Sequence, residues 1–200
     1  MVVAGWECLG GIRPEKARWY AVTLTTKNAA WAFSKGEPFR TIAALELFAT
    51  LLSIKVFSKE WPRRSSGRLV ITGATDNGGN PSVLPRMMTN KFPLVVILAE
   101  LAEQLREEEL DLDLFWVPRE QNVEADALTN SCFEEFDVTR RIQVDPLALT
   151  WKVLPELLKV AEELYRKVSK AKEERTADKR KDGHSCSKGQ KRLRERDPWR

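Results

Sequence analysis

Cysteine is scarce in this 200-residue chain and histidine nearly absent, with Cys8, Cys132, Cys186 and His184 as the full set. An odd number of scattered cysteines excludes a disulfide framework, and His184 with Cys186 supplies two ligands where a zinc site needs four. Long apolar runs are also missing. No stretch approaches the roughly 18 residues that a membrane-spanning helix requires. The opening MVVAGWECLGG lacks the basic region and extended apolar segment of a secretory signal. These absences predict an intracellular protein, nuclear or cytoplasmic, with no membrane partner, and they set no oligomeric state. One further lack is local: no aspartate precedes Asp76. What remains, 42% hydrophobic and 31% charged residues, suits one sizeable globular domain followed by a tail.

The net charge of +4 conceals an asymmetry, because residues 166–200 hold 14 Lys/Arg against 6 Asp/Glu, leaving 19 against 23 elsewhere. A basic tail behind a folded domain can neutralise nucleic-acid phosphates, although such runs are commonly just solvated.

Along the chain, residues 8–12, 18–24 and 29–33 read as three short strands, rich in Trp, Tyr, Val and Thr and separated by turn-forming GGIRPEK and TTKN. They predict an antiparallel meander. Residues 41–58 then carry Ile, Leu, Val and Phe at helical spacing, with Thr41 as the expected cap. Residues 69–74 (LVITGA) form a short apolar strand, and a helical piece follows Pro81, with Met87 and Met88 as its packing residues. After Pro93 comes a stronger helix over 94–107, then a strand over 112–117 and a helix over 123–129. Strands alternating with helices imply parallel pairing in this half. The expected fold is therefore α/β, a mixed sheet of three antiparallel strands and then parallel ones with helices packed on it. The expected division is a domain over 1–130, an extension over 131–170 with an amphipathic helix from 153 to 170, and a disordered basic tail over 171–200.

Three acids occupy positions that packing does not require. Glu46 lies inside IAALELFATLL, Asp76 at the end of an apolar strand, and Asp126 in the first turn of the helix after FWVPREQN. Singly they read as a wet helix face, a turn former and a favourable helix-dipole charge. Together they converge, because strand ends and neighbouring helix starts meet at one edge of such a sheet. Clustered carboxylates repel one another unless a divalent cation neutralises them, and oxygen-only ligands suit Mg²⁺. Two such ions can activate water and stabilise the leaving oxygen in phosphodiester cleavage.

The element order and these motifs resemble the type 1 ribonuclease H domain, most closely the version attached to reverse transcriptases of tyrosine-recombinase retrotransposons. The resemblance spans residues 5–130. It rests on Leu45-Glu46-Leu47, on Thr75-Asp76-Asn77, and on Val117, Pro118, Asn122, Ala125, Asp126 and Leu128, with Thr129 where the family has Ser. It implies a nuclease that cleaves the RNA strand of RNA–DNA hybrids, with Glu46, Asp76 and Asp126 as catalytic metal ligands for Mg²⁺ or Mn²⁺. Asn77, Arg119 and Asn122 are the candidate nucleic-acid contacts, and turn and cap roles are the alternatives for the two asparagines. Trp6, Trp19, Trp31 and Trp116 read as sheet core or sheet surface rather than as base-stacking platforms.

The family uses a fourth carboxylate, an Asp on the first strand, which this chain lacks. The chain then either begins just downstream of that Asp, with most of the first strand missing, or has lost the site; Glu7 is the sole acid nearby. The resemblance thus implies impaired cleavage. Two other function classes stand beside it: a catalytically inactive nucleic-acid-binding copy of the fold, and an interaction or scaffold protein whose C-terminal helix engages a partner.

Overall fold

An antiparallel pair opens the chain in the computed structural model, which describes residues 1–8, 11–34, 36–61 and 67–181. Strand β1 (Val2–Trp6) pairs with β2 (Trp19–Thr23) in a register that sets Val3 against Val22, Gly5 against Tyr20 and Trp6 against Trp19. The first strand thus precedes the expected 8–12. Past Glu7, whose N–H still reaches the Arg18 carbonyl at 2.9 Å, residues 9 and 10 of the expected strand lie outside the described residues, and beyond them come the left-handed Gly11 and the short 3-10 turn Pro14–Lys16.

The expected third strand, 29–33, is a 3-10 helix, Ala30–Phe33. Asn28 explains the change: its side chain accepts the Thr25 N–H at 2.7 Å and donates to the Thr23 carbonyl at 3.1 Å, turning the chain as soon as β2 ends. Trp31 then packs edge-on to Phe48, with ring centroids 5.1 Å apart. Among the described residues the meander has two strands.

Helix α1 (Ile42–Phe57) is the centre of the core. Leu45, Leu47, Phe48, Leu51, Leu52, Ile54 and Phe57 are all buried, so the helix is apolar on nearly every side, as an interior helix must be. Thr41 does not cap it; the hydroxyl donates backward to the Ala32 and Pro38 carbonyls, both at 2.8 Å. Strand β1 comes very close to this helix. A Cβ on Gly5 would stand 2.5 Å from Ser53 Oγ and 3.0 Å from the Tyr20 ring, so only glycine permits the approach without displacement.

The second half alternates as expected. Strand β3 (Leu69–Thr75) pairs in parallel with β4 (Leu110–Trp116), from Leu69 opposite Leu110 to Thr75 opposite Trp116. The crossover contains α2 (Asn80–Val83) and α3 (Leu94–Glu107), the length that a parallel connection demands. One face of the pair buries Ile71, Leu110 and Leu114, while the other exposes Val70, Thr72, Ala74, Asp111, Asp113 and Phe115. Met87 and Met88 do not pack on a helix: they lie beyond α2, 47% and 76% exposed, with Met87 at φ 45°. The architecture is thus mixed α/β, with one antiparallel and one parallel strand pair.

Helix α4 (Val123–Thr129) packs on the first pair through Leu128, which is fully buried with Ala4, Trp19 and Phe136. The Trp19 indole donates to the Asp137 carbonyl at 2.8 Å, and the Ile142 N–H returns to the Trp19 carbonyl at 2.8 Å. Glu100 of α3, wholly buried, accepts the N–H groups of Lys152, Val153 and Leu154 within 2.8–3.0 Å and so caps α5 (Leu154–Lys181). Buried Lys55 balances that carboxylate from 3.5 Å, donating also to Gln104 at 2.6 Å and to the Thr150 carbonyl at 2.8 Å.

The chain divides into two units, Met1–Glu162 and Glu163–Arg200. The first takes in residues 131–162, assigned from sequence to a separate extension. The second is helical through Lys181, beyond the expected end at 170. Of the tail expected to be disordered, 171–200, residues 171–181 belong to this helix and residues 182–200 lie outside the described residues.

Candidate functional site

Glu46 is half-buried on the second turn of α1, between buried Leu45 and Leu47. Its carboxylate meets the C-terminal end of β3, where the buried Thr75 hydroxyl donates to Oε2 at 3.1 Å. Burial raises the Glu46 pKa from an ordinary 4.5 to about 7, and the neighbouring Asp76 charge adds to the rise. Hydrogen bonds from Thr75 and Asn77 act in the opposite sense, while a hydrogen bond shared with Asp76 favours the protonated acid. Two of the three singled-out acids therefore form a coupled pair.

Asp126 occupies the first turn of α4, its N–H bonded to the Asn122 carbonyl at 3.0 Å. Its carboxylate accepts from Asn130 Nδ2 at 3.0 Å and from Arg119 Nη2 at 3.1 Å. Arg119 Nε also lies 3.9 Å from Asp76 Oδ2. One guanidinium, 74% exposed, thus links the end of β3 to the start of α4, and with Glu46 beside Asp76 all three acids share one edge. Strand ends and the long Arg119 side chain create this convergence: Asp76 and Arg119 each follow the last residue of a parallel strand by no more than three positions.

The other candidates divide. Asn77 takes the turn role, accepting the Gly79 N–H at 3.0 Å on Oδ1, and it also steadies Glu46. Asn122 is the N-cap position of α4 but makes no side-chain cap bond. Val123, the first residue of that helix, is 57% exposed. Asn80 escaped sequence reasoning. It is fully buried, and its amide donates to the Ala43 carbonyl at 3.2 Å, fastening the Asp76 loop to α1 one turn before Glu46. The available signal was an amide directly before Pro81 in a loop already rich in glycine.

Glu7, the sole acid near the opening strand, has its own partners. It is buried, accepts Arg18 Nε at 2.6 Å and the Trp61 indole N–H at 2.5 Å, and Arg18 pairs further with Glu60 at 2.8 Å. Its oxygens are committed to tying the β1 end to the start of β2 and to the residues after α1.

As metal donors, Glu46 and Asp76 offer adjacent carboxylates of the hard oxygen type that Mg²⁺ and Mn²⁺ accept. The pH-sensitive repulsion between them is what a cation would relieve. A two-ion centre asks for more: among the described residues no three Asp, Glu, His or Cys side chains converge as ligands, and Asp126 is turned to Arg119. The donor set fits one ion at the pair. No family model, curated protein or solved structure matches the chain.

Proposed function

We propose that the chain is a ribonuclease H-like domain of the retroelement type that holds an RNA–DNA hybrid at the Glu46–Asp76–Asp126 edge and cleaves the RNA strand slowly. The observation that carries this reading is that Arg119 links Asp76 to Asp126 while Glu46 lies against Asp76, so that acids from three separate motifs meet at a helix, a strand end and a helix start. An Mg²⁺ or Mn²⁺ ion at the pair would neutralise charge and polarise a phosphoryl oxygen. The chain's own groups have distinct tasks. Glu46, with a pKa of about 7, can hold or release a proton near neutrality. Arg119, largely exposed, can exchange its carboxylate partners for a phosphate and fix the strand by a bidentate contact. Asn77 orients Glu46, and Asn130 orients Asp126.

A second reading, binding without cleavage, is favoured by the same arginine: a guanidinium already spanning Asp76 and Asp126 lowers the repulsion a phosphate would meet without any metal. A labelled RNA–DNA hybrid, incubated with the protein and with Asp76→Asn in Mg²⁺ or Mn²⁺, separates the two. Metal-dependent cleavage lost in Asp76→Asn supports the first; salt-sensitive binding without cleavage supports the second. Neither binding nor cleavage overturns both.

A further inference from the structure

Resting on the nucleic-acid reading of the carboxylate edge, we infer that Trp116 is a stacking platform for an unpaired nucleobase beside that edge. Six of the chain's seven tryptophans lie among the described residues, and only Trp116 is exposed, at 54%. Trp6, Trp19, Trp31 and Trp151 all pack against phenylalanine rings, and Trp61 donates to buried Glu7. Among the described residues Trp116 has no ring partner.

Its position is fixed nonetheless. The indole N–H donates to the Asp76 carbonyl at 3.1 Å, and the ring edge stands 3.8 Å from where a Cβ on Gly78 would be. Trp116 is the register partner of Thr75, so both side chains leave the same face of the parallel pair, and Thr75 bonds Glu46. A large flat ring is thereby held at the end of the sheet, next to the coupled carboxylates and three residues before Arg119. Restricting the ring in advance removes the ordering loss that a mobile side chain would suffer on binding. An exposed indole face and a neighbouring guanidinium match a base and its phosphate, the pairing by which single strands are held. Base faces are hidden within a duplex, so the occupant is the first unpaired nucleotide flanking a hybrid.

The test compares a blunt RNA–DNA hybrid with the same hybrid carrying a short single-stranded extension, by fluorescence anisotropy, for the protein, Trp116→Phe and Trp116→Leu. The expected result is tighter binding of the extended probe by the protein. That preference falls by ~5- to ~140-fold in Trp116→Leu, the range of one lost base stack. Trp116→Phe, which keeps an aromatic face, retains most of it, and its fold is verified by circular dichroism alongside the leucine variant. The salt dependence stays the same in all three, because no phosphate contact is removed. Binding of the blunt hybrid with no preference for the extension, or a preference that survives in Trp116→Leu, overturns the platform alone. Binding of neither probe overturns the nucleic-acid reading and the platform together.

Discussion

Replacing Glu46 by glutamine should stabilise the protein at pH 8 and leave it nearly unchanged at pH 4. The reasoning starts from the rise in the Glu46 pKa from 4.5 to about 7, caused by burial and then by Asp76. The folded state binds a proton here that the unfolded chain has already lost between those two values. Stability contributed by this position is therefore highest below pH 4.5, declines as pH rises through the window, and reaches its minimum above about pH 7. At ~1.4 kcal/mol per unit the full shift would amount to roughly 3 kcal/mol, and solvent screening of a half-buried group reduces it to about 1–2 kcal/mol. For a unit of this size that corresponds to about 3–6 °C in Tm. Glutamine resembles the protonated acid and keeps an acceptor for the Thr75 hydroxyl, so the variant lacks the decline. Thermal unfolding followed by circular dichroism at both pH values, without divalent ions, measures the difference, and the contributions of groups remote from Glu46 cancel between the two proteins. A variant no more stable than its parent at pH 8 would refute the coupled-pair geometry. Added Mg²⁺ should raise the Tm of the parent at pH 8 and have less effect on Glu46→Gln, since the cation acts by relieving the same repulsion.

Glu100→Ala should cost about 3–5 kcal/mol, because it strands the buried Lys55 ammonium and leaves three N–H groups at the start of α5 without their acceptor; urea unfolding measures it. Gly5→Ala should destabilise by about 1–3 kcal/mol through overpacking against Ser53 and Tyr20, and a Gly5→Ala/Ser53→Ala double variant should recover part of that loss in a thermal-unfolding cycle. Arg119→Ala should weaken hybrid binding and lower the logarithmic salt slope by about 1, as removal of one phosphate contact does; an unchanged slope would show that the arginine stays with its carboxylates.

The elements most readable from sequence were those whose pattern and packing agree. α1, α3, β3, β4 and α4 fall within a few residues of their expected limits because each buries a run of apolar side chains with its own period. The opening was harder. Val2–Trp6 and residues 8–12 are both strand-prone, and only the pairing with β2 chooses between them. Residues 29–33 have strand composition, yet a local asparagine and a distant phenylalanine on α1 fold them into a turn of helix. At the edge, the acids stood out because packing did not require them, and Arg119 was visible beside Asp126 in the loop. Its reach to Asp76, the full commitment of Glu7 to Arg18 and Trp61, and the exposure of Trp116 depend on contacts between residues tens of positions apart. No spacing rule carries that information.

Strand β4, with the sequence LDLDLFW, pairs only with β3 among the described residues, so its other rim has no strand partner there. An open rim beside exposed Val70 and Phe115 is the kind of surface on which molecules zip together into aggregates. Asp111 and Asp113 alternate along it. Arg68 pairs with Asp111 at 2.8 Å. A second copy adding its own β4 to this rim would bring aspartates against aspartates, a mismatch that opposes strand addition. The seven residues of this strand are thus divided, with the acids guarding its first half and the exposed aromatics Phe115 and Trp116 standing at its end.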